Sequence, residues 1–230
     1  PSERIACFTT ISFDIFFLES VLALINGLTV VLANHEEQNN PKKMMELLVT
    51  QNISMLQSTP SRLKLIQMCD NSFESLKTIK TVMIGGEQFP LELLKKLQFN
   101  TGAKIYNMYG PTETTIWSTI SDLTDKTSID IGEPINETQI YLLKNRNTLA
   151  VEDEEGEICI AGVGLSDGYY KKQELTNKNF IELPVEPHCK VYCTGDLGKY
   201  ENGKLICLGR IDNQIKINGY RIELEEIEEN

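Results

Sequence analysis

Residues 107–115 read Asn107-Met108-Tyr109-Gly110-Pro111-Thr112-Glu113-Thr114-Thr115, a loop that follows the buried-strand pattern of residues 104–107. It packs an aromatic ring, a Gly-Pro turn, hydroxyls and a carboxylate into one strand-to-loop junction. That chemistry suits a nucleotide: Tyr109 can stack on a base, Thr112 can donate to a phosphate, and Glu113 can hold a magnesium ion through its hard oxygens. The same composition also describes an ordinary turn, and these residues alone leave both readings open.

Upstream, short β-branched runs at residues 29–32, 53–56, 81–84 and 104–107 alternate with helical periodicity, the pattern of βα units around a largely parallel sheet. Helices are expected to open at Pro41, with Met44, Met45 and Leu48 on one face, at Pro60-Ser61 before Leu63 and Ile66, and at Pro90 before Leu91, Leu94 and Leu97. Downstream of about residue 138 the texture changes to short alternating strands, 139–143 and 157–161, separated by Gly, Asn and Asp turns. Glu201-Asn202-Gly203 reads as a hairpin turn, because Asn and Gly tolerate positive φ. Residues 222–230 carry acids in what reads as the first turn of a helix. The expected fold is therefore α/β, a largely parallel sheet with flanking helices, followed by a small β-barrel-like antiparallel subdomain.

Thirty-three acidic and 22 basic residues give a net charge of −11 over 230 residues, which disfavours binding to a phosphate backbone that wants clustered Lys and Arg. With 41% hydrophobic and 24% charged residues the composition is globular, not disordered, collagen-like or disulfide-scaffolded. The apolar run 21–33 is interrupted by Asn26, Gly27 and Thr29 and falls short of the ~20 residues of a membrane span. The opening Pro1-Ser2-Glu3-Arg4 lacks the basic-then-apolar plan of a signal peptide. Six cysteines form no CxxC pair and read as reduced thiols of a cytoplasmic protein. Zinc is disfavoured, since His35 and His188 have no ligand-like spacing.

Five segments taken together, Phe13-Asp14-Ile15, 107–115, 156–165 (GEICIAGVGL), 194–197 (TGDL) and 209–223 (GRIDNQIKINGYRIE), resemble in order and spacing the adenylate-forming superfamily, closest to the adenylation (AMP-binding) domains of nonribosomal peptide synthetases. The resemblance implies an ATP-dependent ligase in which a carboxylate attacks the α-phosphorus of ATP, pyrophosphate leaves, and the acyl group passes to a phosphopantetheine carrier protein. Such chemistry needs alignment and charge neutralisation more than a protein nucleophile. Carried over, it implies that Tyr109 stacks on adenine beside Gly85-Gly86-Glu87, with Asn107 near the adenine amino group. Thr112 would meet the α-phosphate, Glu113 the Mg2+, Asp196 the ribose hydroxyls and Arg210 the ribose and phosphate side, while Asp212 matches the hinge of a mobile C-terminal domain. As plain structure, Asp196 could instead make an Asx-turn and Arg210 could pair with the acidic tail.

In the FDxxxxE segment Asp14, with Glu19 five residues on, would hold the α-ammonium of an amino acid; a fatty- or aryl-acid ligase has no such group to bind. The remaining pocket positions map to Ile15, Leu18, Gln57, Met83, Gly85, Met108, Ile116 and Trp117. Two methionines and a tryptophan there imply a small cavity, so glycine is the expected substrate and alanine the next. Taken alone, Met83, Met108 and Trp117 read first as core packing; as a set following Asp14 they read as a pocket. The rival readings are an acyl- or aryl-CoA ligase fragment and a noncatalytic nucleotide-binding fragment.

Against the family pattern, the glycine-rich phosphate loop and the C-terminal lysine domain have no counterpart, so the sequence reads as a truncated core. It divides into residues 1–123 (α/β, amino-acid and adenine pocket), 124–209 (β-rich) and 210–230 (hinge and the start of the C-terminal domain). Asp167, Cys193 and Asn218 stand where the family often carries a basic residue. A core cut in this way should expose apolar faces.

Overall fold

The computed structural model describes residues 3–183, 185–212, 215–217 and 220–222, the last two segments as backbone only. Of the helical turn expected at 222–230, Ile222 instead ends a strand, and the rest of it, like the position Asn218, lies outside the described residues. The chain forms two compact units, Pro1–Asn107 with Asp122–Ile129, and Met108–Ser121 with Asp130–Asn230.

In the first unit strands β1 (Arg4–Cys7), β2 (Thr29–Leu32), β3 (Met55–Ser58), β4 (Thr81–Gly85) and β5 (Lys104–Tyr109), whose last two residues, Met108 and Tyr109, belong to the second unit, lie in the order β2-β1-β3-β4-β5. The β1–β2, β1–β3 and β3–β4 pairs are all parallel. Helices Pro41–Thr50, Pro60–Cys69 and Leu91–Asn100 bury Met44, Leu48, Leu63, Ile66, Leu94 and Leu97 in one core with Leu56, Val82, Ile84 and Ile105 of the strands. Pro41 and Pro60 open their helices as expected, each behind a capping side chain: Asn40 accepts from Lys42 N and Thr59 from Arg62 N.

The expected strand 53–56 begins two residues late. Asn52 is left-handed (φ 50°) and Ile53 N donates to Leu48 O at 3.0 Å, so Ile53 closes the preceding helix in a Schellman-type stop before the strand starts. Ile53 and Leu48 pack in the same core, the apolar contact that goes with such a stop. β1 has no counterpart among the expected strands. A helical segment over Ile15–Phe17, Leu18–Leu22 and Ala23–Ile25, with a π-helical middle, leaves Phe17, Leu24 and Ile25 exposed.

In the second unit β6 (Thr119–Asp122) pairs antiparallel with β7 (Glu133–Pro134). The larger sheet contains β8 (Thr138–Lys144), β9 (Thr148–Leu149), β10 (Glu155–Gly162), β11 (Phe180–Glu182), β12 (Lys190–Glu201) and β13 (Lys204–Arg210), ordered β11-β12-β10-β8-β9 with β13 also on β12. The β10–β12, β10–β8, β11–β12, β12–β13 and β8–β9 pairs are all antiparallel. Alternation sorts the side chains: Leu143, Cys159, Ala161, Val191 and Cys193 form one cluster, while Leu142, Ile158, Ile160 and Leu205 form another, as a period of two requires. The hairpin falls at Asn202 and Gly203, both with positive φ, between Glu201 and its partner Lys204. A two-stranded ribbon, Ile215–Ile217 with Tyr220–Ile222, completes the described chain. The fold is thus the expected α/β parallel sheet followed by an antiparallel sheet. No helix among the described residues is long and apolar enough to cross a membrane.

Candidate functional site

In the second unit the site is built on a break in the β10–β12 ladder. Glu157 faces Leu197 and Cys159 faces Cys193, so Thr194, Gly195 and Asp196 stand opposite the single residue Ile158. Such a bulge re-aims side chains. Its geometry explains the residue types. Thr194 Oγ1 donates to Ile158 O at 2.8 Å and accepts from Asp196 N at 3.0 Å. Gly195 has φ +73°, and a Cβ there would sit 2.6 Å from the Arg210 guanidinium. The turn is therefore closed by the Thr194 hydroxyl, and the Asp196 carboxylate is left for other partners.

Those partners are Tyr109 and Arg210. The Tyr109 hydroxyl donates to Asp196 Oδ2 at 2.7 Å, and Arg210, opposite Asp196 in the β12–β13 register, donates from Nη1 to Asp196 Oδ1 at 3.2 Å and to Thr194 O at 2.7 Å. Arg210 Nε also reaches Asp212 Oδ1 at 2.8 Å. Burial alone would pull the guanidinium down, but Asp212 and Asp196 offset it and hold Arg210 above its ordinary value. Burial, then the Asp196 charge, pushes the Tyr109 phenol well up. Tyr109 is thus a standing donor and Asp196 a carboxylate with its orientation fixed.

Glu113 lies in the short helical turn Thr112–Thr114, where it is buried and Thr112 exposed. Tyr169 donates to Glu113 Oε1 at 2.6 Å, and Ser166 N donates to Glu113 O at 2.9 Å. One oriented carboxylate beside a hydroxyl is a hard-oxygen set, which fits a Mg2+ that keeps water and takes its other ligands from phosphates. The loop then doubles back under strain. Thr115 and Ile116, both β-branched, have φ +64° and +71°, a conformation such residues rarely adopt. Ser118 N donates to Tyr109 O at 2.8 Å. Gly110 permits the fold-back, since a Cβ there would meet Trp117 Cα at 2.6 Å and Ile116 O at 2.7 Å. Met108 and Trp117 are buried, and Trp117 Nε1 has no hydrogen-bond partner among the described residues.

In the first unit Gln57 and Met83 are register partners on β3 and β4. With Gly85 they line the sheet face turned away from Leu56, Val82 and Ile84 of the core. Gln57 is buried. Gly86 has φ +83° and Glu87 Oε2 accepts from Ser61 N at 3.0 Å, while Glu87 Oε1 is buried with no partner among the described residues. Asn107 is buried near the end of β5. Asp14 occupies the N-cap of Ile15–Phe17 without capping it, Ile15 is buried and Leu18 half-buried. Glu19 is fully buried and accepts from Thr9 N and Thr9 Oγ1, each at 2.9 Å, so it ties down the chain that leads into Asp14.

The arrangement adds residues to which the sequence assigned no role. Glu157 accepts from Arg146 Nε at 2.8 Å, from Arg146 Nη2 at 3.0 Å and from Gly195 N at 3.0 Å. It therefore buttresses the bulge from behind; its only sequence signal was its place after Gly156. Tyr169 as the partner of Glu113 had no signal at all.

The profile of the AMP-binding enzyme family matches residues 1–170. Tyrocidine synthase 3 of Brevibacillus parabrevis is 38% identical over 224 residues, 96% of this chain and 3% of that protein. Among solved structures, holo-PA1221, an NRPS protein containing adenylation and PCP domains bound to a vinylsulfonamide inhibitor, superposes with TM-score 0.90 at 30% identity over all of this chain and 41% of its own. AB3403, a four-domain nonribosomal peptide synthetase bound to AMP and glycine, gives TM-score 0.85 at 36% identity over 98% of this chain and 17% of its own. The chain thus spans less than half the length of each.

Proposed function

The chain belongs to the AMP-binding enzyme family, and on that premise we propose that it is the core of an amino-acid adenylating ligase, which forms an aminoacyl-AMP for transfer to a phosphopantetheine carrier protein. Glycine is the proposed substrate and alanine the next. The observation that carries the reading is the Asp196 carboxylate, aimed by the bulge and held between Tyr109 and Arg210. A carboxylate so fixed can accept from two vicinal hydroxyls at once, as a ribose offers.

The proposed roles follow from chemistry. Tyr109, with Gly85, Gly86, Glu87 and Asn107, takes the adenine, and Thr112 donates to the α-phosphate. Arg210 keeps its charge at any working pH and steadies the ribose and phosphate side. Bound with ATP, Mg2+ would neutralise phosphate charge, and Glu113 is the residue to hold it. Asp14 receives the substrate ammonium, and Ile15, Leu18, Gln57, Met83, Met108, Ile116 and Trp117 set the size of the side-chain space. The substrate carboxylate then displaces pyrophosphate from the α-phosphorus, a reaction in which alignment does most of the work. The working division is residues 1–123, 124–209 and 210–230, with Asp212 as the hinge, in a reducing cytoplasmic setting consistent with six free thiols. Support for the small substrate comes from the two methionines, the tryptophan and the buried Gln57, and from the glycine bound by AB3403.

The test is exchange of pyrophosphate into ATP by the protein in its full natural length. Glycine-dependent exchange that is lost in Asp14→Ala supports the proposal. Exchange driven only by fatty or aryl acids and indifferent to Asp14→Ala overturns it.

A further inference from the structure

Cys159 on β10 and Cys193 on β12 are register partners, and their sulfurs lie 3.5 Å apart. Both are buried, packed among Leu143, Ala161 and Val191. With Glu157 they form a cluster whose ligand atoms lie within 4.8 Å of one another, so a metal is the first possibility to weigh. The carboxylate is already engaged: both of its oxygens accept from Arg146, and one also from Gly195 N. Two thiols without a third and fourth ligand fall short of a tetrahedral site. What remains is a dithiol.

Its placement suits closure. Directly opposed residues of an antiparallel pair have Cα atoms ~4.5–5.5 Å apart, inside the ~4.4–6.8 Å span that a disulfide bridges. The sulfurs can therefore meet by side-chain rotation while the strands stay paired. β12 also changes neighbours here. Its pairing with β11 ends at Tyr192 and its pairing with β13 begins at Asp196, so Cys193 sits at a gap in the ladder on that edge. Local opening at such a gap admits a small oxidant to a buried thiol.

We propose that Cys159 and Cys193 are a reversible modification site that closes to a cross-strand disulfide when hydrogen peroxide is the oxidant. The Cys193 sulfur attacks one peroxide oxygen, the O–O bond breaks, and the departing oxygen leaves as water with the thiol proton, giving a sulfenic acid. The Cys159 sulfur then attacks the Cys193 sulfur, the S–O bond breaks, and the hydroxyl leaves as a second water with the Cys159 proton. Each sulfur loses one electron, and two electrons reduce the peroxide to two waters. Cys193 is the first nucleophile because the hydrogen bond from Cys159 favours its thiolate, while that bond and burial push Cys159 up.

The experiment is peroxide treatment of the folded chain, followed by alkylation under denaturing conditions, intact mass and peptide mapping. We expect two fewer alkyl groups than in the untreated chain together with a loss of about 2 Da, a linked peptide pair containing Cys159 and Cys193, and full reversal by dithiothreitol. Cys193→Ser and Cys159→Ser should each abolish the linked pair. Oxygen addition without cross-linking, pairing through Cys69 or Cys189 instead, or stoichiometric zinc that protects both thiols from alkylation would overturn it. Should a serine variant fail to fold, the wild-type peptide map decides alone.

Discussion

The Tyr109 hydroxyl donates to Asp196 Oδ2 at 2.7 Å, joining the end of β5 to the bulge of β12 across 87 residues of sequence. The proposed base-stacking ring and the proposed ribose ligand are therefore one hydrogen-bonded unit. Nucleotide recognition then depends on the phenol as well as on the ring, and this separates two substitutions at one position.

Tyr109→Phe keeps the ring and removes the donor. A hydrogen bond to a charged partner contributes ~1.5 kcal/mol or more, so AMP affinity measured calorimetrically should fall about tenfold, while Tyr109→Ala should lose considerably more. Equal affinities for wild type and Tyr109→Phe would show that Asp196 is positioned by Arg210 alone.

Glu157→Gln addresses the support behind the bulge. The carboxylate is buried and takes two bonds from Arg146 and one from Gly195 N. An amide in its place presents one donor group where two donors approach. Because the Arg146 side chain is 38% exposed, the loss is discounted from the full buried-pair figure to about 2 kcal/mol. Urea unfolding should show a lower midpoint with an unchanged slope. A midpoint that does not move would mean the pair is solvent-screened to nothing.

How much of this was legible in the sequence depends on range. Pro41 and Pro60 announce their helices because capping and proline chemistry are local, and Asn202-Gly203 announces its hairpin for the same reason. The short strand Arg4–Cys7 shows too little pattern to be read. It becomes intelligible only when Ile5 and Ala6 are seen between parallel neighbours brought from residues 29–32 and 55–56. At the site, Thr194, Gly195 and Asp196 were recognisable as a motif. That the Thr194 hydroxyl closes the turn and frees Asp196 for Tyr109 is a consequence of a ladder irregularity that no linear pattern records. The left-handed Thr115 and Ile116 run against propensity, so sequence reasoning has no purchase on them; strain of that kind is held by tertiary structure.

Glu19 supplies a pH dependence with a definite sign. Burial raises its pKa above the ordinary 4.5, against the pull of the Thr9 donors, nearby Arg62 and the Cys7 thiol. Folding therefore takes up a proton on this carboxyl. The stabilisation is complete below the unfolded value of 4.5 and is lost as pH rises through the raised folded value. Glu19→Gln cannot titrate. Urea midpoints compared from about pH 4.5 upward should show wild type losing stability relative to Glu19→Gln as pH rises. Parallel curves would mean that Glu19 has the same pKa folded and unfolded.

Gly110 tests the fold-back of the loop. A methyl at this position would be driven into backbone on three sides, 2.6 Å from Trp117 Cα, 2.7 Å from Ile116 O and 2.7 Å from Ser118 N. None of these is the far end of a flexible side chain, so relief requires the segment to move and the Ser118 N to Tyr109 O bond of 2.8 Å to lengthen. Overpacking of this kind costs about 1–3 kcal/mol. Trp117 is the single tryptophan of the chain and is buried, so its emission reports the displacement directly. Gly110→Ala should shift that emission to longer wavelength and lower the melting temperature by several degrees in this ~230-residue chain. Emission and melting like those of wild type would show that the loop has room the geometry denies.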